Sequence, residues 1–306
     1  MIVRAAAPAG LARVRPSRAL SEGRFVALLL SPAVLVMFAF TTLPVIYLVW
    51  TSLHTLNPAE PYANGFVGAS NFVALASDPR FWNALRLTGI YTVSTVILQL
   101  VIGLGLALLV TNLGRAAGVL RIAAILPMIL APVVVGLIWR TLLLTPQYGV
   151  VDFIGLSLGL GSHNWLGNPT LALVSVIAMH TWQWTPFAFL VFVAALASLP
   201  RDPFEAAVID RANAWQRFRY ITLPLIRPAI VIVVILRTIV ALCAFEAIFA
   251  VTGGGPGTAT EILNLYAYNK SFIELSIGYG ASIAVVLLAI TLILALVLFR
   301  LRTARR

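Results

Sequence analysis

Two ionisable side chains, Arg237 and Glu246, stand nine residues apart in one long apolar run. On a straight helix they would sit about 13–14 Å apart along the axis, too far for a direct ion pair. Charges in such a setting either pair within a helix bundle or mark a solute path. A second constellation is His180, Trp182, Gln183 and Trp184, followed by Pro186. Aromatic faces suit the C–H faces of a polyhydroxylated solute, and an amide suits its hydroxyls. The same residues also suit an aromatic belt or helix packing, although Trp182 lies about eleven residues into its run, far from either end. Trp182, Gln183, Trp184, Arg237 and Glu246 are therefore candidate path residues. Gln99 is expected to act as interhelix glue.

Other chemistry finds no support. A phosphate-cradling loop needs glycine-rich backbone ahead of a lysine. The single lysine, Lys270, follows Tyr266-Ala267-Tyr268-Asn269, with no glycine at the required offset. His54, His163 and His180 lack metal-ligand spacing, so no metal site is expected. No Gly-x-Ser-x-Gly elbow occurs. The lone cysteine, Cys243, cannot form an intrachain disulfide and is expected to be a small core residue.

The elements that must position these residues follow from composition. Of 306 residues, 61% are hydrophobic and only 10% charged, against roughly 25% charged in a soluble chain. The solvent for most of the chain must then be lipid or other apolar helices. Six apolar runs are long enough to cross a bilayer, which takes roughly 20 helical residues. They cover about 25–53, 86–110, 119–143, 171–199, 225–251 and 276–299. Pro32 and Pro44 in the first run, and Pro127 and Pro132 in the third, predict kinks. The fold class is all-α: a polytopic membrane protein of six transmembrane helices.

Charge sets the expected orientation. The net charge of +11 would also suit nucleic acid, but its distribution argues for topology and against a nucleic-acid partner. Sixteen basic residues lie in 1–24, 111–121, 200–227 and 300–306, against only Arg80 and Lys270 in 54–84, 144–170 and 252–275. The excess places both termini in the cytoplasm. The predicted organisation is a cytoplasmic tail 1–24, a membrane domain 25–299 and a basic cytoplasmic tail 300–306. The first run is too long for a signal-peptide core and is read as an uncleaved span.

The one long polar cytoplasmic segment is 200–228, PRDPFEAAVIDRANAWQRFRYITLPLIRP. Asp202 is expected to cap a helix with Pro203 first and Glu205 third, a capping-box spacing. Asn213 is expected to cap a second helix with Gln216 at the same offset. Trp215 and Phe218 then share a face. An amphipathic interfacial loop is an equally open reading of these features.

Glu205-Ala206-Ala207, Asp210, Ala212, Trp215, Phe218, Ile221, Leu223-Pro224 and Pro228 resemble the EAA loop of binding-protein-dependent ABC importers. Phe66-Val67-Gly68, Asn71-Phe72, Asp78-Pro79-Arg80-Phe81-Trp82, Thr252-Gly253-Gly254-Gly255-Pro256 and Thr260-Glu261 are similar to the carbohydrate branch of that family, the maltose, trehalose and glycerol phosphate permeases. The resemblance implies a type I ABC importer permease fold in a bacterial or archaeal plasma membrane. It implies that Glu205, Ala206, Ala207, Asp210, Arg211, Ala212 and Trp215 form a coupling helix docked on an ATPase. It also implies a second permease subunit, two ATPase subunits that hold ATP and Mg, and an extracytoplasmic sugar-binding protein. This chain itself would bind no cofactor and catalyse no reaction. Arg211 stands where the family usually has Gly, so the bend there is expected to avoid the left-handed conformation. The competing functions are a secondary transporter, which needs an ion-coupling acid in a broken helix and no such loop, and an intramembrane enzyme or scaffold.

Overall fold

The computed structural model describes residues 22–111, 117–159 and 161–303. Most of the predicted N-terminal tail, Arg115 and residues 304–306 lie outside the described residues. The chain divides into two units, 1–47 and 48–306. The described part of the first belongs to α1 (Glu22–Ser52), which continues through Pro32 and Pro44 with its large apolar side chains exposed.

The second unit begins with the last turn of α1. It continues through a short antiparallel hairpin, β1 (His54–Thr55) with β2 (Gly65–Phe66), and α2 (Ser70–Ala76). Then come α3 (Pro79–Thr111), α4 (Ala117–Ile129), α5 (Pro132–Ile138), α6 (Val150–Ser157) and α7 (Pro169–Ala197). They are followed by α8 (Asp202–Ile209), α9 (Ala214–Arg217), α10 (Leu223–Leu225), α11 (Arg227–Leu242), α12 (Glu246–Val251), α13 (Leu263–Tyr268) and α14 (Ile277–Thr303). Among the described residues, α1, α3, α7 and α14 are each long and apolar enough to cross a membrane, and two bent helix pairs bring the number to six.

The kink predicted in the third run is present, and the other bent pair turns by 63° between Ala214–Leu225 and Arg227–Leu242, where the polar loop enters the fifth run. In the third run the chain turns by 102° between α4 and α5. Pro132, at the start of α5, donates no backbone hydrogen bond, so the break falls just before it. In the fifth run, α11 covers only 16 residues, about 24 Å at the helical rise. The chain then breaks at 243–245 before α12. Cys243 lies at this break and is exposed, not in the core as expected.

The core centres on α3 and α7, with α5, α11 and α12 packed around them. Small residues permit the close approaches. A Cβ on Gly136 in α5 would stand 2.7 Å from the Ala247 carbonyl oxygen of α12, and one on Gly103 in α3 would stand 2.8 Å from the Ala188 Cβ of α7. Such backbone proximity is how helices associate where lipid removes the hydrophobic drive.

Candidate functional site: a polar cavity between broken helices and an exposed polar loop

Gln183, on α7, reaches toward the broken third span. The break frees the Leu130 carbonyl, and Gln183 Nε2 donates to it at 3.3 Å. Gln183 Oε1 and the Tyr91 hydroxyl are buried without a hydrogen-bond partner among the described residues. Both border a cavity of about 200 Å³ with His180, Trp184, Cys243 and Glu246. The cavity exists because α5 and the α11–α12 break leave α7 incompletely covered. Glu246, the first residue of α12, is exposed on its wall.

Arg237 lies behind this wall, 2% exposed. Its Nε donates to Gln99 Oε1 at 2.7 Å, and its Nη2 contacts His180 Nε2 at 3.1 Å. Its guanidinium carbon stands 4.6 Å from the centre of the Trp184 ring, a cation–π arrangement. Gln99 Nε2 also donates to the His180 carbonyl at 3.3 Å. Gln99 is interhelix glue, as expected, and it joins α3, α7 and α11.

Trp182 also lies apart from this cavity. Successive helical side chains diverge by about 100°, so Trp182 turns away from its neighbours Gln183 and Trp184. It lines an apolar groove of about 540 Å³ between α3, α4 and α7, and its ring lies 6.1 Å from that of Trp139. Of the candidate path residues, Gln183, Trp184 and Glu246 line the cavity, whereas Trp182 and Arg237 do not. Arg237 and Glu246 do not pair, as expected from their spacing.

The 200–228 loop forms the two predicted helices, α8 and α9, with three corrections. The first concerns the cap. Asp202 does not cap α8, because the helix starts one residue earlier than expected: Arg201 is the capping residue and makes no side-chain cap bond. Asp202 and Glu205 instead place negative charge in the first turn, where the helix dipole favours it. At α9 the capping box of Asn213 and Gln216 is complete, and Trp215 and Phe218 lie 5.6 Å apart.

The second concerns Arg211, which adopts φ 55°. Arg211 N donates to Val208 O at 3.0 Å and Ala212 N to Ala207 O at 2.9 Å. These are the paired bonds of a Schellman motif, with Arg211 in the left-handed position where glycine is usual. Two hydrogen bonds hold the strained residue, so the bend keeps its geometry despite the missing glycine. The third concerns Ala207, which is buried within this chain, whereas Glu205, Ala206, Asp210, Arg211 and Trp215 are exposed and Ala212 is half-buried. Ile209 (83% exposed) and Trp215 (66%) add bare apolar surface to the loop.

At the opposite end of the bundle, two polar clusters escaped the sequence reading. Asp78 caps α3 through Arg80 N at 2.8 Å and accepts from the Tyr266 and Tyr279 hydroxyls. Arg80 grips Glu261 in a two-pronged pair at 2.8 and 2.7 Å and reaches Glu274 at 2.8 Å. Lys270 and Asn269 complete the clasp, on Glu274 and Glu261 respectively. The residues were visible as motifs, but 181 positions separate Arg80 from Glu261, and no periodicity links them.

The second cluster surrounds Asp152, fully buried on α6. It accepts from Gln147 N, Ser162 Oγ, His163 N and Trp165 Nε1. The Ser162 hydroxyl, then the His163 amide, hold its carboxyl well below the ordinary carboxylate value. A carboxyl lowered on folding contributes stability above its unfolded value, near 4, and loses it as pH falls through the lower folded value. Hydrogen exchange should therefore find the His163 and Gln147 amides protected at every pH above about 4. In Asp152→Asn, whose amide turns donors toward donors, that protection should fall at neutral pH. Unchanged exchange in the variant would show that Asp152 does not organise the loop.

Among the described residues, no group of three His, Cys, Asp or Glu side chains is placed to hold a metal ion. The bundle is that of a multi-pass membrane protein, with a cavity that holds a few polar groups where its helices break. The chain belongs to the family of binding-protein-dependent transport system inner membrane components, whose profile matches residues 99–306. It is 34% identical over 287 residues to the trehalose/maltose transport system permease protein of Thermococcus litoralis, covering 93% of this chain and 95% of that one. It is 34% identical over 273 residues to the sulfoquinovosyl glycerol transport system permease protein of Agrobacterium fabrum, covering 89% and 88%. A crystal structure of a bacterial ABC transporter that imports the acidic polysaccharide alginate superposes with a TM-score of 0.78 at 22% identity, covering 92% of this chain and 96% of that one. The fold is that of ABC importer permeases.

Proposed function

We propose that this chain is one transmembrane subunit of an ATP-driven sugar importer. With a second permease subunit it forms the path for an oligosaccharide, disaccharide or glycerol-phosphate-like solute. An extracytoplasmic binding protein delivers the solute to the end that carries the Arg80 and Asp152 clusters. Two separate ATPase subunits hold ATP and Mg and engage the 200–228 loop. Both termini and that loop are cytoplasmic, in line with the distribution of basic residues.

The cavity is the observation that carries this reading. The unpartnered Tyr91 hydroxyl and Gln183 Oε1 stand beside the Trp184 ring and the Glu246 carboxylate. Buried polar atoms without partners are costly, and a hydroxyl-rich solute would satisfy them. The names of the sugar-transporting relatives point to the same solute class.

The test is ATP-driven uptake of labelled sugars into proteoliposomes that hold the complex and its binding protein. Saturable uptake of at least one sugar is expected, and none across a broad panel would overturn the reading. Orientation is tested in a Cys243→Ala background. Ala59→Cys should react with an impermeant thiol reagent from outside, and Gln216→Cys only after lysis. The reverse pattern would invert the topology.

A further inference from the structure

We infer that Arg237 is a positioning residue of the cavity. Held by Gln99, it fixes His180 as a neutral imidazole protonated on Nδ1, which gives the cavity a hydrogen-bond donor for an acceptor oxygen of the solute. The inference rests on the reading of the cavity as the solute site.

The direction of each bond follows from the chemistry of its partners. A guanidinium has five N–H donors and no acceptor. The 3.1 Å contact between Arg237 Nη2 and His180 Nε2 can therefore run only one way, with Nε2 accepting. A ring nitrogen whose lone pair accepts carries no proton, so the neutral ring must carry its proton on Nδ1. Gln99 fixes Arg237 in turn. Its Oε1 accepts from Arg237 Nε and its Nε2 donates to the His180 carbonyl, so both ends of the amide are committed and it cannot flip. The chain Gln99–Arg237–His180 thus has one consistent set of proton positions.

The ring stands on the cavity wall beside Tyr91, with the two ring centres 5.2 Å apart. Nδ1 has no hydrogen-bond partner among the described residues, whereas Nε2 is committed to Arg237. The ring therefore has one structural end and one free end. Of the other polar groups on the wall, Gln183 Oε1 and Glu246 are acceptors, and the Tyr91 hydroxyl can donate or accept. The Nδ1–H adds recognition of a ring or glycosidic ether oxygen, which can only accept.

A plain staple between α7 and α11 would also use His180 Nε2, but it would make no use of Nδ1. Two substitutions separate these ends, because an Asn amide reaches the position of Nδ1 and a Gln amide that of Nε2. His180→Gln keeps an acceptor for Arg237 and removes the Nδ1–H donor. The complex should assemble with its thermal midpoint preserved, while sugar uptake falls about tenfold, the cost of one hydrogen bond to the solute. His180→Asn should do the reverse, retaining most uptake while lowering the midpoint. Preserved uptake in the Gln variant with loss in the Asn variant would overturn the assignment.

The tautomer is read directly by ¹⁵N NMR of the complex with labelled histidine, His180 being assigned by its absence from the Asn variant. A protonated Nδ1 with a bare Nε2 is expected, and a proton on Nε2 would overturn the inference. In Arg237→Met the single tautomer should give way to a mixture. Should that variant fail to assemble, Gln99→Ala, which leaves the guanidinium present but unheld, serves the same comparison. A single Nδ1–H tautomer persisting in the variant that assembles would show that Arg237 does not set it. The spectrum needs no solute. If the wild-type complex takes up no sugar, the solute reading fails while the role of Arg237 is still decided.

Discussion

Ala206→Trp should abolish transport and release the ATPase from the purified complex, with this chain and its partner permease still in the membrane. Ala206 is exposed on α8 beside Glu205, and the neighbouring Ile209 and Trp215 present apolar surface to solvent. Apolar surface so displayed on a polar loop marks an interaction site, which the proposed function gives to the ATPase. A methyl side chain lets the two backbones approach closely. An indole there overpacks the contact, typically by about 1–3 kcal/mol, and also forces the surfaces apart. Ala207→Trp is the informative companion. Ala207 is buried within this chain, so an indole there should disrupt the loop itself and lower the thermal midpoint of the isolated permease pair, which Ala206→Trp should leave unchanged. Retention of the ATPase and normal transport in Ala206→Trp would remove this loop as the coupling element.

Arg80→Ala should produce the largest loss of stability at the opposite end of the molecule. The Glu261 side chain is only 3% exposed and depends on the Arg80 fork, while the Arg80 side chain is 35% exposed. Breaking a fully buried pair costs about 3–5 kcal/mol. Solvent at Arg80 reduces this, and about 2–3 kcal/mol is expected. The loss should appear as a lower thermal midpoint and faster amide exchange across 252–276. Arg80→Lys keeps the charge but loses the two-pronged geometry, so partial recovery is expected. An unchanged midpoint in Arg80→Ala would show that the clasp is incidental.

The clasp also has an acid limit. Partial burial works against ionisation of Glu274, but Lys270 and Arg80 outweigh it and lower its pKa. For Asp78, burial is likewise outweighed by hydrogen bonds from the Tyr266 and Tyr279 hydroxyls. Both carboxyls are lowered on folding, so their contribution is full above about pH 4 and is lost as pH falls through the folded values. The 252–276 segment should stay protected in mildly acid medium and loosen only below that range.

Local patterns were legible in the residues alone. Long apolar runs set the class, because a chain with 10% charged residues cannot cover itself with a water-facing surface. The Asn213–Gln216 box was readable because a cap is a contact between residues three apart. The resemblance carried by Glu205-Ala206-Ala207 and its neighbours identified the family for the same reason, being continuous in sequence. Two local errors show the limit of such reading. Asp202 and Arg211 were assigned from residue preference, yet the helix start at Asp202 and the Schellman bonds of Arg211 decided both. A preference worth about 1 kcal/mol yields to two hydrogen bonds and the packing around them.

The site itself was decided by tertiary structure. Arg237 and Gln99 lie 138 positions apart, and Arg80 and Glu261 lie 181 apart. No pattern of period 3.6 carries such distances. Trp182 and Gln183 are adjacent in sequence, yet one faces an apolar groove and the other a polar cavity. Rotation about the helix axis separates them, and the packing of α3, α5 and α11 against α7 determines which side becomes the cavity. The sequence by itself determined the solvent, the spans and the family. Which charges meet, and which side of α7 is polar, depended on where the helices break and what then packs into the gap.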